Sequence, residues 1–201
     1  MTNIFPNLEI EKYYEKKFKG LICGIDEVGR GCLAGPVVAA AIILNYDQIP
    51  EEINDSKAIS KIKREKIAKS IKKYALDISI GEATNQEIDD INILNASLLA
   101  MKRAFEGLRI NTKMALIDGI YCPNIDCKTE SIIKGDTKSL SIAAASIVAK
   151  VHRDHLMHQI GLIYPKYNFK KNAGYGTKEH YKIINSYGIT SYHRKSFKLF
   201  K

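Results

Sequence analysis

The sequence predicts an α/β fold with a mixed β-sheet flanked by helices. Apolar runs early in the chain are separated by hairpin-like breaks, whereas later apolar runs alternate with helical patterns. The length of 201 residues fits one domain. Within it we expect an N-terminal extension over residues 1–19, a central domain over residues 20–163, and a small helical and loop extension over residues 164–201.

Three strands are predicted in the first half of the chain, over residues 21–27, 37–44 and 76–83. The second of these runs is apolar throughout, which is typical of a strand buried on both faces. Ser60 has the position of an N-cap for a lysine-rich helix that reaches Tyr74. The apolar positions of this helix include Ile62, Ile67 and Ile71.

The second half of the chain begins with a capping box, Thr84 followed by Glu87, which predicts a long helix to about Leu108. Further elements are predicted in order: strands over residues 114–117 and 131–133, then helices over residues 141–163 and 177–187. The alanines near the start of the longer helix make it narrow enough to pack tightly on a sheet. We leave the role of residues 1–19 open, with a solvated, partly helical extension as one interpretation.

Composition limits the classes of protein that fit. The 31 basic and 22 acidic residues give a net charge of +9, which favours a polyanionic partner, although a lysine-rich background would give the same excess. No apolar run is long enough to span a bilayer, and the start of the chain lacks the pattern of a signal peptide. The four cysteines form no C-x-x-C pair. We therefore expect a cytoplasmic protein with reduced cysteines and no membrane partner.

Acidic residues follow three of the predicted strands, as Asp26-Glu27, Asp118 and Asp136. Ligands of open α/β sheets gather where strand ends meet, so these acids can converge on one cleft. An all-oxygen ligand set suits Mg²⁺ or Mn²⁺, and two such ions can support phosphodiester hydrolysis. The sequence therefore predicts these four acids as metal ligands and catalytic residues.

Each acid also has a simpler interpretation. An Asp-Gly pair such as Asp118-Gly119 is commonly a turn, and Asp136 can simply cap the helix that follows. Successive side chains of a strand point to opposite faces, so Glu27 either lies past the strand end or contributes its backbone carbonyl.

Candidate substrate contacts lie in loops. The turn Gly29-Arg30-Gly31 directly follows the acidic pair and can approach a phosphate or a sugar closely. Lys57 can hold a phosphate, and the face of Tyr175 can stack on a sugar or base. The simpler interpretations are a solvated lysine and an ordinary surface tyrosine.

Motifs spread along the chain resemble those of type 2 ribonucleases H, the ribonuclease HII family. They are DEVGRG (26–31), LAGPVV (33–38), DSK (55–57), INIL (91–94), DG (118–119), KGD (134–136), SIAAASI (141–147), AKV (149–151), RD (153–154), GYGTKEH (174–180) and HRKSF (193–197). The resemblance spans nearly the whole chain from Gly20, in the family's order. Departures from the usual residues occur at Cys32, Ala58 and Ile120.

The resemblance implies an RNase H-like fold and an endoribonuclease that cuts the RNA strand of RNA·DNA hybrids and incises 5′ of ribonucleotides embedded in duplex DNA. It implies Mg²⁺ or Mn²⁺ ligands at Asp26, Glu27, Asp118 and Asp136. It also implies recognition of the ribose 2′-hydroxyl by the turn at residues 29–31, and of the RNA–DNA junction by Tyr175. We expect a monomer. The alternatives are a non-catalytic hybrid-binding module and a nuclease or transferase of the same fold that acts on DNA only.

Overall fold

The computed structural model of this chain describes residues 5–50, 53 and 60–200. Its five strands are β1 (Ile22–Val28), β2 (Val37–Ile43), β3 (Asp77–Ala83), β4 (Met114–Asp118) and β5 (Lys128–Ile132). The α-helices within the described residues are α1 (Glu9–Phe18), α2 (Lys61–Tyr74), α3 (Asn85–Glu106), α4 (Leu140–Ile163), α5 (Phe169–Asn172) and α6 (Lys178–Tyr187). Short 3₁₀ turns cover Gly135–Thr137 and Pro165–Tyr167.

The strands form one sheet in the order β3-β2-β1-β4-β5. The early strands are joined as antiparallel neighbours, β1 with β2 and β2 with β3, whereas β1 with β4 and β4 with β5 run parallel. This arrangement confirms the predicted mixed sheet. It places β1, which carries Asp26 and Glu27, at the centre of the sheet beside β4, which ends in Asp118.

Helices cover both faces of the sheet. On one face, Ala40 and Ile42 of β2 belong to a core cluster with residues of α2 and α4, and on the other face Ala39 clusters with residues of α3. Gly24 of β1 lies against the backbone of Ser141, where a Cβ atom would have no room. The absence of a side chain at Gly24 therefore lets the start of α4 approach the centre of the sheet.

Most element predictions are confirmed within one or two residues, and three need correction. The strand predicted over residues 131–133 lies at 128–132, because this edge strand is largely exposed and carries no apolar alternation. Ile62 is 81% exposed and takes no part in the core. The long helix α3 is kinked at Asn92, whose φ of 65° is left-handed and whose Oδ1 accepts hydrogen bonds from the N–H groups of Leu94 and Asn95.

Helix α1 packs on the domain, so residues 9–18 are not a solvated extension. Ile10, Tyr14 and Phe18 lie against the apolar side chains at the start of β1 and in β4. The fully buried carboxylate of Glu11 accepts hydrogen bonds from Ser139 Oγ at 2.6 Å and Ser141 N at 2.9 Å. These bonds tie α1 to the start of α4, because backbone N–H groups at a helix start favour an anion.

Candidate active site

Asp26 and Glu27 both lie within β1, opposite Ala40 and Ala39 of β2. Strand alternation sends their side chains to opposite faces, with Asp26 toward α4. The interpretation that Glu27 lies past the strand end is therefore wrong, because β1 continues to Val28. Both carboxylates are nearly buried, and Asp26 is only 5% exposed.

Asp118 is the last residue of β4, and its side chain is bonded to the 3₁₀ turn that follows β5. Its Oδ1 accepts a hydrogen bond from Gly135 N at 2.6 Å. That bond places the turn at residues 135–137, which contains the buried Asp136, beside the end of β4. Asp136 does not cap α4, since Ser139 is the N-cap and accepts from Ile142 N at 3.2 Å.

Three of the four acids interact electrostatically. Burial raises the pKa of Asp26 well above its usual range, and the negative charges of Glu27 and Asp118 raise it further. Burial also raises the pKa of Glu27; Arg30 opposes this rise and Asp118 adds to it. Arg30 Nη1 lies 3.2 Å from Glu27 Oε1, whereas the buried Oε2 of Glu27 accepts no hydrogen bond in the described part of the chain. The charged forms of Asp26 and Glu27 are therefore disfavoured in this site.

The acidic side chains that the structure describes do not form a preorganised metal-coordination site. Across residues 5–50, 53 and 60–200, no group of three or more His, Cys, Asp or Glu side chains is already arranged to hold a metal ion. The structure thus brings Asp26, Glu27 and Asp118 into electrostatic contact, and places Asp136 near them through the backbone of its turn. Convergence of all four side chains on metal ions stays a prediction.

The Gly29-Arg30-Gly31 turn leaves β1 directly after the acids. Gly29 has a φ of +98°, which side-chain-bearing residues rarely adopt, and its Cα lies against the guanidinium of Arg153. The Arg30 side chain is half-exposed, and Gly31 faces open space. The turn is therefore held firmly from beneath and is accessible from outside.

Tyr175 lies beside this turn. An antiparallel bridge joins Cys32 to Tyr175, and Leu33 N donates to Gly174 O at 2.7 Å. Tyr175 is 38% exposed, and burial together with the neighbouring Cys32 raises the pKa of its hydroxyl. The structure thus brings the predicted turn and tyrosine together, whereas Lys57 lies outside the described residues.

Two arginines at the base of this turn were not predicted as site residues. Arg153 in α4 and Arg194 near the C-terminus are both fully buried and donate hydrogen bonds to carbonyls of the surrounding loops. Both arginines lie in stretches that resemble the family, residues 153–154 and 193–197, which gave each of them a position and no role. An arginine in a long helix is most often on its solvated face, so the burial of Arg153 is a finding of the structure.

The fold is that of RNase H enzymes. The ribonuclease H2 of Pyrococcus horikoshii OT3 superposes with a TM-score of 0.74 at 23% identity, covering 89% of this chain and 94% of that one. The RNase HII of Archaeoglobus fulgidus, solved in complex with PCNA, gives a TM-score of 0.75 at 24% identity over 90% of this chain and 96% of its own. Bst-RNase HIII, solved with Mn²⁺, gives 0.69 at 19% identity over 89% and 67%.

Sequence comparison identifies the family. The sequence model of ribonuclease HII matches residues 23–200. The ribonuclease HII of Clostridioides difficile is 51% identical over 97% of this chain and 74% of its own, and that of Caldicellulosiruptor saccharolyticus is 48% identical over 94% and 92%. This chain belongs to the ribonuclease HII family, a family of nucleases with RNase H activity. No helix in the part that the structure describes is long and apolar enough to cross a membrane.

Proposed function

We propose that this chain is an endoribonuclease that hydrolyses the RNA strand of RNA·DNA hybrids and incises 5′ of single ribonucleotides in duplex DNA. The products would carry a 3′-hydroxyl and a 5′-phosphate. The observation that carries this proposal is the direct succession, along β1 and its turn, of the acids at Asp26-Glu27 and the accessible turn at residues 29–31. Family membership supports the same activity.

The acids fit divalent cations of the Mg²⁺ or Mn²⁺ type. Burial and mutual repulsion raise the pKa values of Asp26 and Glu27, which a cation would reverse, and the buried Oε2 of Glu27 accepts no hydrogen bond from the described residues. The oxygen-only donor set suits these ions. We assign Asp26, Glu27, Asp118 and Asp136 as the ligands. Held by these four residues, two such ions would supply activation of a water and stabilisation of the leaving oxygen.

The chain's own residues then select the substrate. A protein distinguishes RNA from DNA through the 2′-hydroxyl or the helix shape. Backbone groups of the Gly29-Arg30-Gly31 turn would bind that hydroxyl, and the half-exposed Arg30 would pair with an adjoining phosphate. Tyr175, beside the turn, would stack on a sugar or base at the RNA–DNA junction. The 2′-hydroxyl is thus a recognition element, and the attacking nucleophile is water.

A substrate panel tests this function. The wild-type chain would be incubated with an RNA·DNA hybrid, a DNA duplex carrying one ribonucleotide, and the same duplex in DNA only, each with Mg²⁺, Mn²⁺ or EDTA. We expect cleavage of the first two with either metal, a single cut 5′ of the ribonucleotide, and no cleavage in EDTA. Activity that survives EDTA, a 2′,3′-cyclic phosphate product, or equal cleavage of the all-DNA duplex would refute the proposal.

A further inference from the structure

Arg194 is bonded by its guanidinium group to the backbone of the Gly29-Arg30-Gly31 turn and of Gly35 just after it. Its Nη2 donates to Gly29 O at 2.7 Å, its Nη1 to Arg30 O at 2.8 Å, and its Nε to Gly35 O at 3.0 Å. The side chain is 0% exposed. A planar fork with fixed donor directions can hold three carbonyls at once, which a lysine ammonium on a flexible stem cannot do in the same geometry.

This contact sets the direction of two amide groups. The carbonyls of Gly29 and Arg30 belong to the same peptide units as the N–H groups of Arg30 and Gly31. In a trans peptide the C=O and N–H point to opposite sides, and the described residues contain no cis peptide bond. Because Arg194 holds both carbonyls inward, the two N–H groups point away from the protein interior. Neither donates to a backbone acceptor in the described part of the chain.

Arg153 joins the same turn to the tyrosine loop. Its Nε donates to Pro36 O at 2.9 Å, its Nη2 to Ala34 O at 3.1 Å, and its Nη1 to Ala173 O at 2.8 Å. Its guanidinium also lies 5.9 Å from the ring centroid of Tyr175. One buried side chain therefore bonds both the segment after the turn and the start of the tyrosine loop, and lies near the Tyr175 ring together with Lys150, whose Nζ is 5.5 Å from the ring centroid.

These arginines are costly to bury for stability alone. In the described residues each guanidinium donates its hydrogen bonds to carbonyls, and none of those bonds ends on a carboxylate. The nearby Asp89 is itself bonded to Lys195 N and Ser196 N. A buried charge without a bonded counter-ion is an expensive way to fasten a loop. Two of them under one accessible turn supply positive potential where an anionic backbone would bind.

We propose that Arg194, supported by Arg153, is a positioning residue for ribonucleotide recognition. It aims the N–H groups of Arg30 and Gly31 at the site of the 2′-hydroxyl, while Arg153 holds Tyr175 in register with them. The inference rests on the proposed function, because it assumes that the turn reads ribose.

The test is a binding measurement with the variant Arg194→Lys, which keeps the charge and loses the fork. Fluorescence anisotropy would give Kd for a labelled DNA duplex with one ribonucleotide and for the all-DNA duplex, with Ca²⁺ replacing Mg²⁺ to prevent turnover. The discrimination ratio is the all-DNA Kd divided by the ribonucleotide Kd. We expect Arg194→Lys to lower this ratio about tenfold, with the all-DNA Kd changed less than about twofold.

A matched control is Arg103→Lys. Arg103 also donates to a backbone carbonyl, that of Glu82, yet it is exposed and bonds Glu87 far from the turn. We expect its discrimination ratio to equal that of the wild type. Arg153→Lys provides a second variant, for which the ratio should also fall; it decides the question if Arg194→Lys does not fold by circular dichroism.

The outcomes separate the two proposals. A folded Arg194→Lys variant with an unchanged ratio would overturn the positioning role, and so would an equal loss of affinity for both duplexes, which indicates a merely structural role. Failure of the proposed function would instead appear in the wild type, as a discrimination ratio of one or an absence of cleavage.

Discussion

The acids of β1 and β4 and the Gly29-Arg30-Gly31 turn adjoin each other, yet they are stabilised in opposite ways. Burial, together with neighbouring negative charge, raises the pKa values of Asp26 and Glu27. The turn rests on Arg153 and Arg194, whose donors are satisfied by carbonyls of the chain. Under the proposed function, the acids would need an external cation to be complete, whereas the turn that would recognise the ribose is held by the protein's own side chains.

The largest expected effect is a loss of cleavage without a loss of substrate binding, in the variant Asp118→Asn. Asp118→Asn keeps an oxygen that can accept from Gly135 N–H and removes the negative charge. We expect the cleavage rate to fall by about a thousandfold or more, with the Kd for a ribonucleotide-containing duplex within a few-fold of wild type. Asp126→Asn, at an exposed position, is the matched control and should cleave normally. A cleavage rate near wild type in Asp118→Asn would exclude Asp118 from catalysis.

Lowering the pH should destabilise the region around Tyr175 through a buried pair of histidines, His180 and His193. Thr190 N donates to Nδ1 of His193, whose Nε2 lies 3.1 Å from Nε2 of His180, and His180 Nδ1 bonds Tyr175 O. Burial and the neighbouring His180 lower the pKa of His193 to about 4. The unfolded chain therefore binds a proton that the native state excludes between about pH 6.5 and 4, so this stability is complete above that window and is lost as pH falls.

We expect His193 to account for a change of at most about 3 kcal/mol in the free energy of unfolding between about pH 6.5 and 4. Urea titrations at several pH values would measure this free energy, with His193→Gln as the comparison. The variant should be less stable at neutral pH and show a shallower pH slope than the wild type. Identical slopes in the two proteins would show that His193 does not carry the effect.

Gly29→Ala should affect both stability and recognition. An alanine would have to adopt the φ of +98°, and its Cβ would meet the guanidinium of Arg153. We expect a loss of about 2 kcal/mol in unfolding free energy and a lower discrimination ratio. Thermal unfolding and the anisotropy assay would measure both. Gly31→Ala, whose Cβ would face open space, is the paired control and should retain wild-type stability.

The smallest effect lies outside both regions. Thr84 caps α3, with its hydroxyl accepting from Glu87 N at 3.2 Å and its own N–H donating to Glu87 at 2.8 Å. Thr84→Ala should cost about 1 kcal/mol of stability and leave cleavage unchanged. Circular dichroism melts and a cleavage assay would check this. A large loss of activity at unchanged stability would mean that α3 contributes to one of the two sites.

The sequence predicted the elements that carry a strong local pattern. The apolar runs predicted the central strands, and the capping box predicted the start of α3 at Asn85. Acids at the predicted strand ends pointed to Asp26, Glu27, Asp118 and Asp136. The structure brings the first three into electrostatic contact, and the role of all four as metal ligands stays a prediction. The kink at Asn92 and the edge strand β5 followed no periodicity.

The base of the turn could not be foreseen either. Arg153 lies in a helix and Arg194 in a loop, and only the three-dimensional fold brings them beneath residues 29–36. Their guanidinium groups donate to backbone carbonyls that are distant in sequence. Because every residue has a backbone carbonyl, such partners cannot be identified from the sequence. Glu11 is a similar case, since its partners Ser139 and Ser141 are set by the docking of α1.

Under the proposed function, the protein's own side chains position the turn that recognises the ribose, and cations complete only the acidic site. One titration of the wild-type chain tests it: the discrimination ratio between a ribonucleotide-containing and an all-DNA duplex, measured in Ca²⁺ and again in EDTA. We expect weaker binding of both duplexes in EDTA, through repulsion by the acids, with the ratio retained within about threefold. A ratio that falls to one in EDTA would show instead that recognition depends on the metal.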